Sequence, residues 1–379
     1  MTFSLISIIG IVTGLQLFLL SLFLLGYKRG RVLSYRILAA IVFCHALFIA
    51  NFILYHLRDY VFSTFPHAYH VGTSFLFAYA PLIYFYTRSL SDQRFVFDKR
   101  AALHFIPFVL FFVYMLFRFH LQSTAIKREL LFAEADLTRL EMIIIDFLVH
   151  GQVFAYLYAS LRRLHDYRSE IKEVYSSIHR INLSWLQVVL IGIGLIWIVD
   201  FVNFILWKIF IVRSMGELLT YISLVFTYVF ANVIVYRGLH HPDVFPGCRA
   251  DMRMPKYSRS PMTKSERERY LKRLDRYMQQ EKPYLVPSLT IDELAERVSI
   301  PGRLLSQVIN ESLNQNFFDF INGYRIEEIK RLLTDTVNNH RTILQLLFDA
   351  GFNSKSAFNR VFKKHTGMSP TEYRKSYLN

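Results

Sequence analysis

The stretch AGFNSKSAFNRVFKKHTGMSPTEYR, residues 350–374, decides the fold of one end of the chain. Gly351 follows the apolar run 342–348, and Ser354 stands three residues later where a helix N-cap belongs, so the pattern is helix, tight glycine turn, second helix. That order of signals is a helix-turn-helix. The second helix, over Lys355 to Thr366, puts Phe358, Val361 and Phe362 on one face and Lys355, Ser356, Asn359, Arg360 and Lys363 on the other. Gly367 ends it, and SPTE at Ser369 to Glu372 is a capping box with Pro370 at the first helical position.

Working outward, a related pattern stands upstream. TIDE at Thr290 to Glu293 opens a short helix through Arg297, a turn follows at Val298 to Ile300, and a second helix runs from Pro301 to Leu313. Leu305, Ile309 and Leu313 form its apolar face, which leaves Arg303, Ser306, Gln307 and Asn310 for a groove. Between the two units, Phe317 to Thr334 reads as an amphipathic helix about 27 Å long at 1.5 Å per residue. A rod of that length suits two recognition helices set near the roughly 34 Å of one duplex turn. A further helix, Ser265 to Gln280, offers Leu271, Leu274, Tyr277 and Met278 as a cover for the first unit.

GFNSKSAFNRVFKKHTGMSPTEYR resembles the signature of the AraC family of bacterial transcription regulators, and the resemblance extends upstream over the first unit and the connecting helix. It implies an all-helical domain that reads double-stranded DNA and works with RNA polymerase, as a homodimer in some members. Carried over position by position, it implies DNA contacts from Arg303, Ser306, Gln307 and Asn310 in one unit and Lys355, Ser356, Asn359, Arg360, Lys363 and Lys364 in the other. Three positions depart from the pattern: Asn314 stands where glycine is usual, Pro301 replaces a serine cap, and Leu347 replaces a small residue.

The other end of the chain is of a different kind. A hydrophobic fraction of 53% is too apolar for a water-soluble protein of 379 residues, so part of the chain belongs in lipid. Seven apolar segments of roughly 20 residues can be marked, at about 3–25, 37–57, 69–87, 101–117, 142–161, 184–207 and 218–236. The first is too long for a signal-peptide core, and its charges Lys28, Arg29 and Arg31 follow it instead of preceding it. With the N-terminus outside, the inner loops hold thirteen Lys and Arg against seven in the outer loops, which favours N-out and C-in. An odd number of spans then delivers the C-terminal domain to the cytoplasm of a cell whose inner membrane holds the bundle.

The expected architecture is therefore all-α: a polytopic bundle of about seven spans over residues 1–237, a linker over 238–264, and a domain over 265–379 with helix-turn-helix units at 290–313 and 342–366. Pro242, Pro246, Pro255 and Pro261 mark the linker. The net charge of +15 is shared, with +8 over residues 1–240, +3 over 241–265 and +4 over 266–379. Such a balance suits both cytoplasmic membrane loops and a DNA-facing surface.

Polar groups inside the spans need an account. His45, Asn51, Gln152 and Asn232 fit interhelical hydrogen bonds. Asp146 with His150 (i, i+4) and Asp200 with Asn203 (i, i+3) form pairs in the outer half of the bundle, where they either hold helices together or make a site for a small ligand or a proton. No HExxH, GxSxG or Walker loop occurs, His240 and His241 read as an interfacial pair, and Cys44 and Cys248 are too differently placed to pair. The expectation is a membrane-tethered, signal-sensing regulator, with no enzyme activity, metal or cofactor. The alternative is a seven-helix transporter or membrane enzyme with an accessory DNA-binding domain.

Overall fold

The computed structural model describes residues 5–27, 31–92, 94–132, 140–179, 181–210, 213–240 and 262–378. Most of the linker at 238–264, together with His241 and Cys248, lies outside the described residues. The all-α expectation holds: among the described residues there is no strand beyond an isolated bridge between Tyr175 and Thr290. The chain divides into two compact units, one of residues 1–164 with 184–252, the other of residues 165–183 with 253–379.

The first unit begins with α1 (Leu5–Gly26) and α2 (Val32–His56), followed by the short α3 (Arg58–Val61) and α4 (Val71–Ser74). Then come α5 (Leu76–Ser91), α6 (Lys99–Leu103), α7 (Ile106–Met115), α8 (Thr124–Phe132), α9 (Leu140–Val174), which passes into the second unit after Leu164, α10 (Ser184–Phe204) and α11 (Arg213–His240). Five stretches are long and apolar enough to cross a membrane: Ser7–Gly26, Val32–His56, Lys99–His120, Leu140–Val174 and Ser184–Ile209. Leu15, Leu19, Leu22, Phe23, Leu110 and Phe117 stay exposed on them, a surface suited to hydrocarbon and not to water.

The segment at 69–87 does not make one long span. His70 takes a left-handed backbone (φ 63°), α4 lasts one turn, and α5 starts afresh at Leu76 as a 16-residue helix containing Pro81. In α11 the apolar stretch Leu218–Val229 is likewise short. Polar groups within the unit are mostly matched: Asn51 Oδ1 accepts from His70 N at 2.7 Å, Gln16 and Asn232 pair at 3.1 Å, and Gln152 donates to Phe77 O at 3.3 Å. Lys127, counted from sequence as an outer-loop charge, is fully buried and bonds His67 and His120 O, each at 2.8 Å.

The second unit holds α12 (Lys264–Glu281), α13 (Ile291–Val298), α14 (Gly302–Leu313), α15 (Phe317–Thr334), α16 (Ile343–Asp349), α17 (Lys355–Thr366) and α18 (Pro370–Leu378). Its caps are those the sequence spells out. Thr290 and Thr342 each accept a bond from the backbone N–H three residues on, and Glu293 and Gln345 reach back to complete capping boxes. Asn314 closes α14 in the left-handed conformation (φ 52°) that asparagine tolerates, and Ser299 (φ 49°) closes α13 without any glycine.

α15 joins two cores. Its first half supplies Phe317, Phe320 and Ile321 to a cluster with Leu274, Met278, Leu294, Val298, Leu305 and Ile309; its second half supplies Ile326, Ile329 and Leu333 to another with Leu346, Leu347, Phe358 and Phe362. Each core closes one helix-turn-helix against the shared rod. Between the cores, Arg325 is 1% exposed, and burial pulls its guanidinium down to about 10. It donates to Tyr284 O (2.7 Å), Val286 O (2.9 Å), Ser176 O (3.3 Å) and Ser176 Oγ (3.3 Å).

Ser176 belongs to a segment that sequence reasoning assigned elsewhere. Residues 165–183, expected as a loop between two spans, are part of the second unit. Val174 enters its core, Ser176 N donates to Leu289 O at 3.0 Å, and Asn322 donates to Ser176 O at 3.1 Å. Tyr167 Oη donates to Ile181 O and Arg168 Nε to Asn182 O, which folds the segment back on itself.

Candidate nucleic-acid interface and a cavity in the apolar unit

α17 is positioned by three aromatic and aliphatic anchors and one cap. Phe358, Val361 and Phe362 are buried, Ser354 Oγ accepts from Ala357 N at 3.3 Å, and Gly367 ends the helix at φ 76°. Lys355, Ser356, Asn359, Arg360, Lys363 and Lys364 are all exposed on its other side. Lys364 lies 3.3 Å from Asp319, an exposed pair that contributes little to stability. An exposed row of amide and guanidinium donors on one helix is what base edges and phosphates bind.

α14 presents its polar residues differently. Ser306 is 5% exposed and accepts from Asn310 at 3.3 Å, so it faces inward. Asn310 also donates to Glu173 Oε2 at 2.8 Å, and Gln307 donates to Glu311 at 3.1 Å. Glu311 is itself held by Arg267 of α12 at 2.6 Å. Arg303 Nε and Gln307 Oε1 are buried without a hydrogen-bond partner. This helix therefore meets its own chain through several of the groups that α17 leaves open.

The tight turn before α17 depends on Gly351. Its φ is 83°, and a Cβ there would stand 2.5 Å from Tyr284 O, so both conformation and space demand glycine. Leu347, placed where a small residue is usual, is fully buried beside Ala350 and Phe358.

The family described as a helix-turn-helix domain matches residues 294–376. These residues are an AraC-type helix-turn-helix domain. Over 88 residues the chain is 34% identical to the melibiose operon regulatory protein of Escherichia coli (strain K12), a match covering 23% of this chain and 28% of that protein. Over 86 residues it is 38% identical to an uncharacterized HTH-type transcriptional regulator of Staphylococcus aureus (strain COL), covering 23% of this chain and 11% of that one. The chain thus spans little more than a quarter of the longer-matched relative, and the likeness lies in the DNA-binding domain. No solved structure matches.

The four polar residues singled out in the spans line one cavity of about 650 Å³ in the first unit. Their partners differ from the simple helical pairing. His150 Nδ1 donates to the backbone carbonyl of Asp146 at 2.7 Å, while the Asp146 carboxylate pairs with Lys208 at 2.8 Å. Asp200 accepts from Ser223 at 2.7 Å, and Asn203 donates to Thr220 at 2.8 Å. Trp207 and Lys208, both lining the cavity, sit on the π-helical turn Ile205–Ile209 that extends α10. Such turns recur at functional sites because the extra residue re-aims side chains. Lys208 and Ser223 were not singled out from sequence, since an isolated Lys at a helix end or an isolated Ser within a helix carries no periodic signal. Among the described residues there is no cluster of His, Cys, Asp or Glu arranged to hold a metal.

Proposed function

We propose that the protein is a membrane-tethered, sequence-specific transcription regulator whose apolar unit receives a signal and whose helix-turn-helix domain binds promoter DNA. The observation that carries the DNA-binding part is the exposed row Lys355, Ser356, Asn359 and Arg360 on α17 within an AraC-type domain. Five helices long and apolar enough to cross a membrane support the tether. The thirteen-to-seven loop charge bias supports an N-terminus outside and the DNA-binding domain in the cytoplasm.

Residues 165–183 support the coupling. They run from the last turns of the candidate span Leu140–Val174 to the start of the next at Ser184, yet they share the core and the buried Arg325 network of the DNA-binding unit. A shift at the end of α9 is then a shift of Glu173 and Val174, and Glu173 holds Asn310 of α14. Two states of that segment would bias DNA binding through differential contacts, as linkage requires. Asp146, His150, Asp200 and Asn203 are the sensing residues of this reading, and homodimerisation and contact with RNA polymerase would follow from the domain type.

Chromatin immunoprecipitation with sequencing on cells carrying the full chain tests the reading. A small set of enriched promoters, lost on deleting residues 289–379 and altered in occupancy by a stimulus acting outside the cell, is the expected outcome. Enrichment unaffected by the deletion, or absent throughout, overturns it.

A further inference from the structure

We propose that the cavity of the apolar unit binds a small organic cation, an ammonium group carried on an aromatic body. This rests on the sensing reading above and names the ligand class for it. Of the cavity's own cations, Lys208 is paired with Asp146 at 2.8 Å, and Arg58 donates to Tyr55 O at 3.2 Å with its guanidinium over the Tyr55 and Phe132 rings. Arg58 Nε is buried without a partner, as is one atom each of His150 and Asn203, which line the cavity with the Asp200 carboxylate. Asp200 has one hydroxyl donor, from Ser223, and no ion pair among the described residues. His150 is 8% exposed, and a carbonyl only accepts, so its Nδ1 carries the proton toward Asp146 O, while its Nε2 is buried without a partner. Asn203 spends its amide N–H on Thr220, and its Oδ1 is likewise buried without a partner.

One carboxylate, the unsatisfied Asn203 Oδ1 and the unpartnered His150 Nε2 therefore line the same space, and an ammonium group brings three donors and one positive charge. A neutral or anionic ligand would leave Asp200 uncompensated in an apolar surround, where an unpaired charge is costly. The walls fit the rest of such a molecule. Tyr79, Trp197, Phe204 and Trp207 offer ring faces, which attract cations and stack on aromatic bodies. Trp197 and Phe204 lie 5.4 and 5.5 Å from the His150 ring, so the rings and the polar groups are neighbours.

The test uses the full chain in lipid nanodiscs and three probes that share one body: 2-phenylethylammonium, 2-phenylethanol and phenylacetate. Two of the three tryptophans of the chain line the cavity, so tryptophan emission reports occupancy. A saturable response to the amine is expected, with the alcohol about tenfold weaker or worse and phenylacetate inert, because only the amine pairs with Asp200. Asp200→Asn should raise the half-saturating amine concentration about tenfold. His150→Leu, which removes a different polar group, should weaken the amine as well and serves if the first variant fails to accumulate. Equal binding of alcohol and amine, tighter binding of phenylacetate, no saturable response to any probe, or amine binding indifferent to both substitutions overturns the proposal. The same preparations are assayed for retention of the promoter fragments enriched from cells. Amine binding that leaves retention unchanged sinks the sensing reading and keeps the ligand class, whereas retention altered by Asp200→Asn without amine binding does the reverse.

Discussion

At the scale of single residues, exposure separates α14 from α17. Asn359 and Arg360 stand open on α17, and Arg or amide side chains there suit bidentate bonds to base edges, each discriminating by about 1–3 kcal/mol. Replacing either by Ala should relax the preferred sequence at particular base pairs, which selection of binding sites from a random duplex pool would reveal. Lys363, a turn further on, should act on phosphate, so Lys363→Ala should weaken all sequences alike and lower the salt slope by about one. Sequence-blind effects from all three variants would mean that α17 does not enter the groove. Arg325 is a residue of the other kind, structural and nearly invisible to solvent. Arg325→Met strips the donor from the Tyr284 and Val286 carbonyls, each costing about 1 kcal/mol or more when left unsatisfied, while Ser176 O keeps Asn322, so a loss of at least about 2 kcal/mol should appear in chemical denaturation of the full chain. A variant as stable as the wild type would show that water replaces the guanidinium.

At the scale of elements, α15 carries both an architectural and an electrostatic role. It divides its apolar residues between two cores, and on its polar side Glu328 accepts from Arg331 at 2.7 Å and lies 3.7 Å from Lys282. The Arg331 hydrogen bond, helped by both positive charges, holds the Glu328 carboxyl below its ordinary 4.5. A depressed acid stabilises the fold above its free value, and that contribution disappears as pH falls through the lower, folded value. Stability of the second unit should therefore decline on acidification below pH 4.5, and Glu328→Gln should flatten that decline. Denaturant midpoints of both proteins across that range would check it; parallel curves would assign the acid sensitivity to other carboxylates.

At the scale of the whole molecule, the prediction concerns topology. On the reading proposed above, the loop charge bias and the apolar helices predict an N-out bundle with its DNA-binding domain inside. A reporter active only in the cytoplasm should work when fused after Arg237 or at Arg94 and fail after Arg58. Activity at all three positions would overturn that arrangement. Five stretches have the length and apolarity of spans, so α5 and α11 decide whether the full count is seven: α5 has 16 residues, and the apolar part of α11 is Leu218–Val229. Fusions on either side of α5, at Arg58 and Arg94, bear on the shorter of the two whole helices.

Sequence alone determined what is local or periodic in this chain. Caps at Thr290, Thr342 and Ser354, the glycine turn at Gly351 and the apolar faces of α14 and α17 are set by neighbours within four residues, so their signals are written side by side. Long apolar runs are equally local, because the bilayer acts on each helix by itself. Tertiary structure decided what depends on residues far apart in the chain. That Lys127 is buried on His67, that Lys208 and not His150 takes the Asp146 carboxylate, and that residues 165–183 complete the DNA-binding unit around Arg325 all join positions tens to well over a hundred residues apart. No period or motif in one segment records its partner in another, since a buried polar side chain is satisfied by whichever donor or acceptor the fold brings within hydrogen-bond reach.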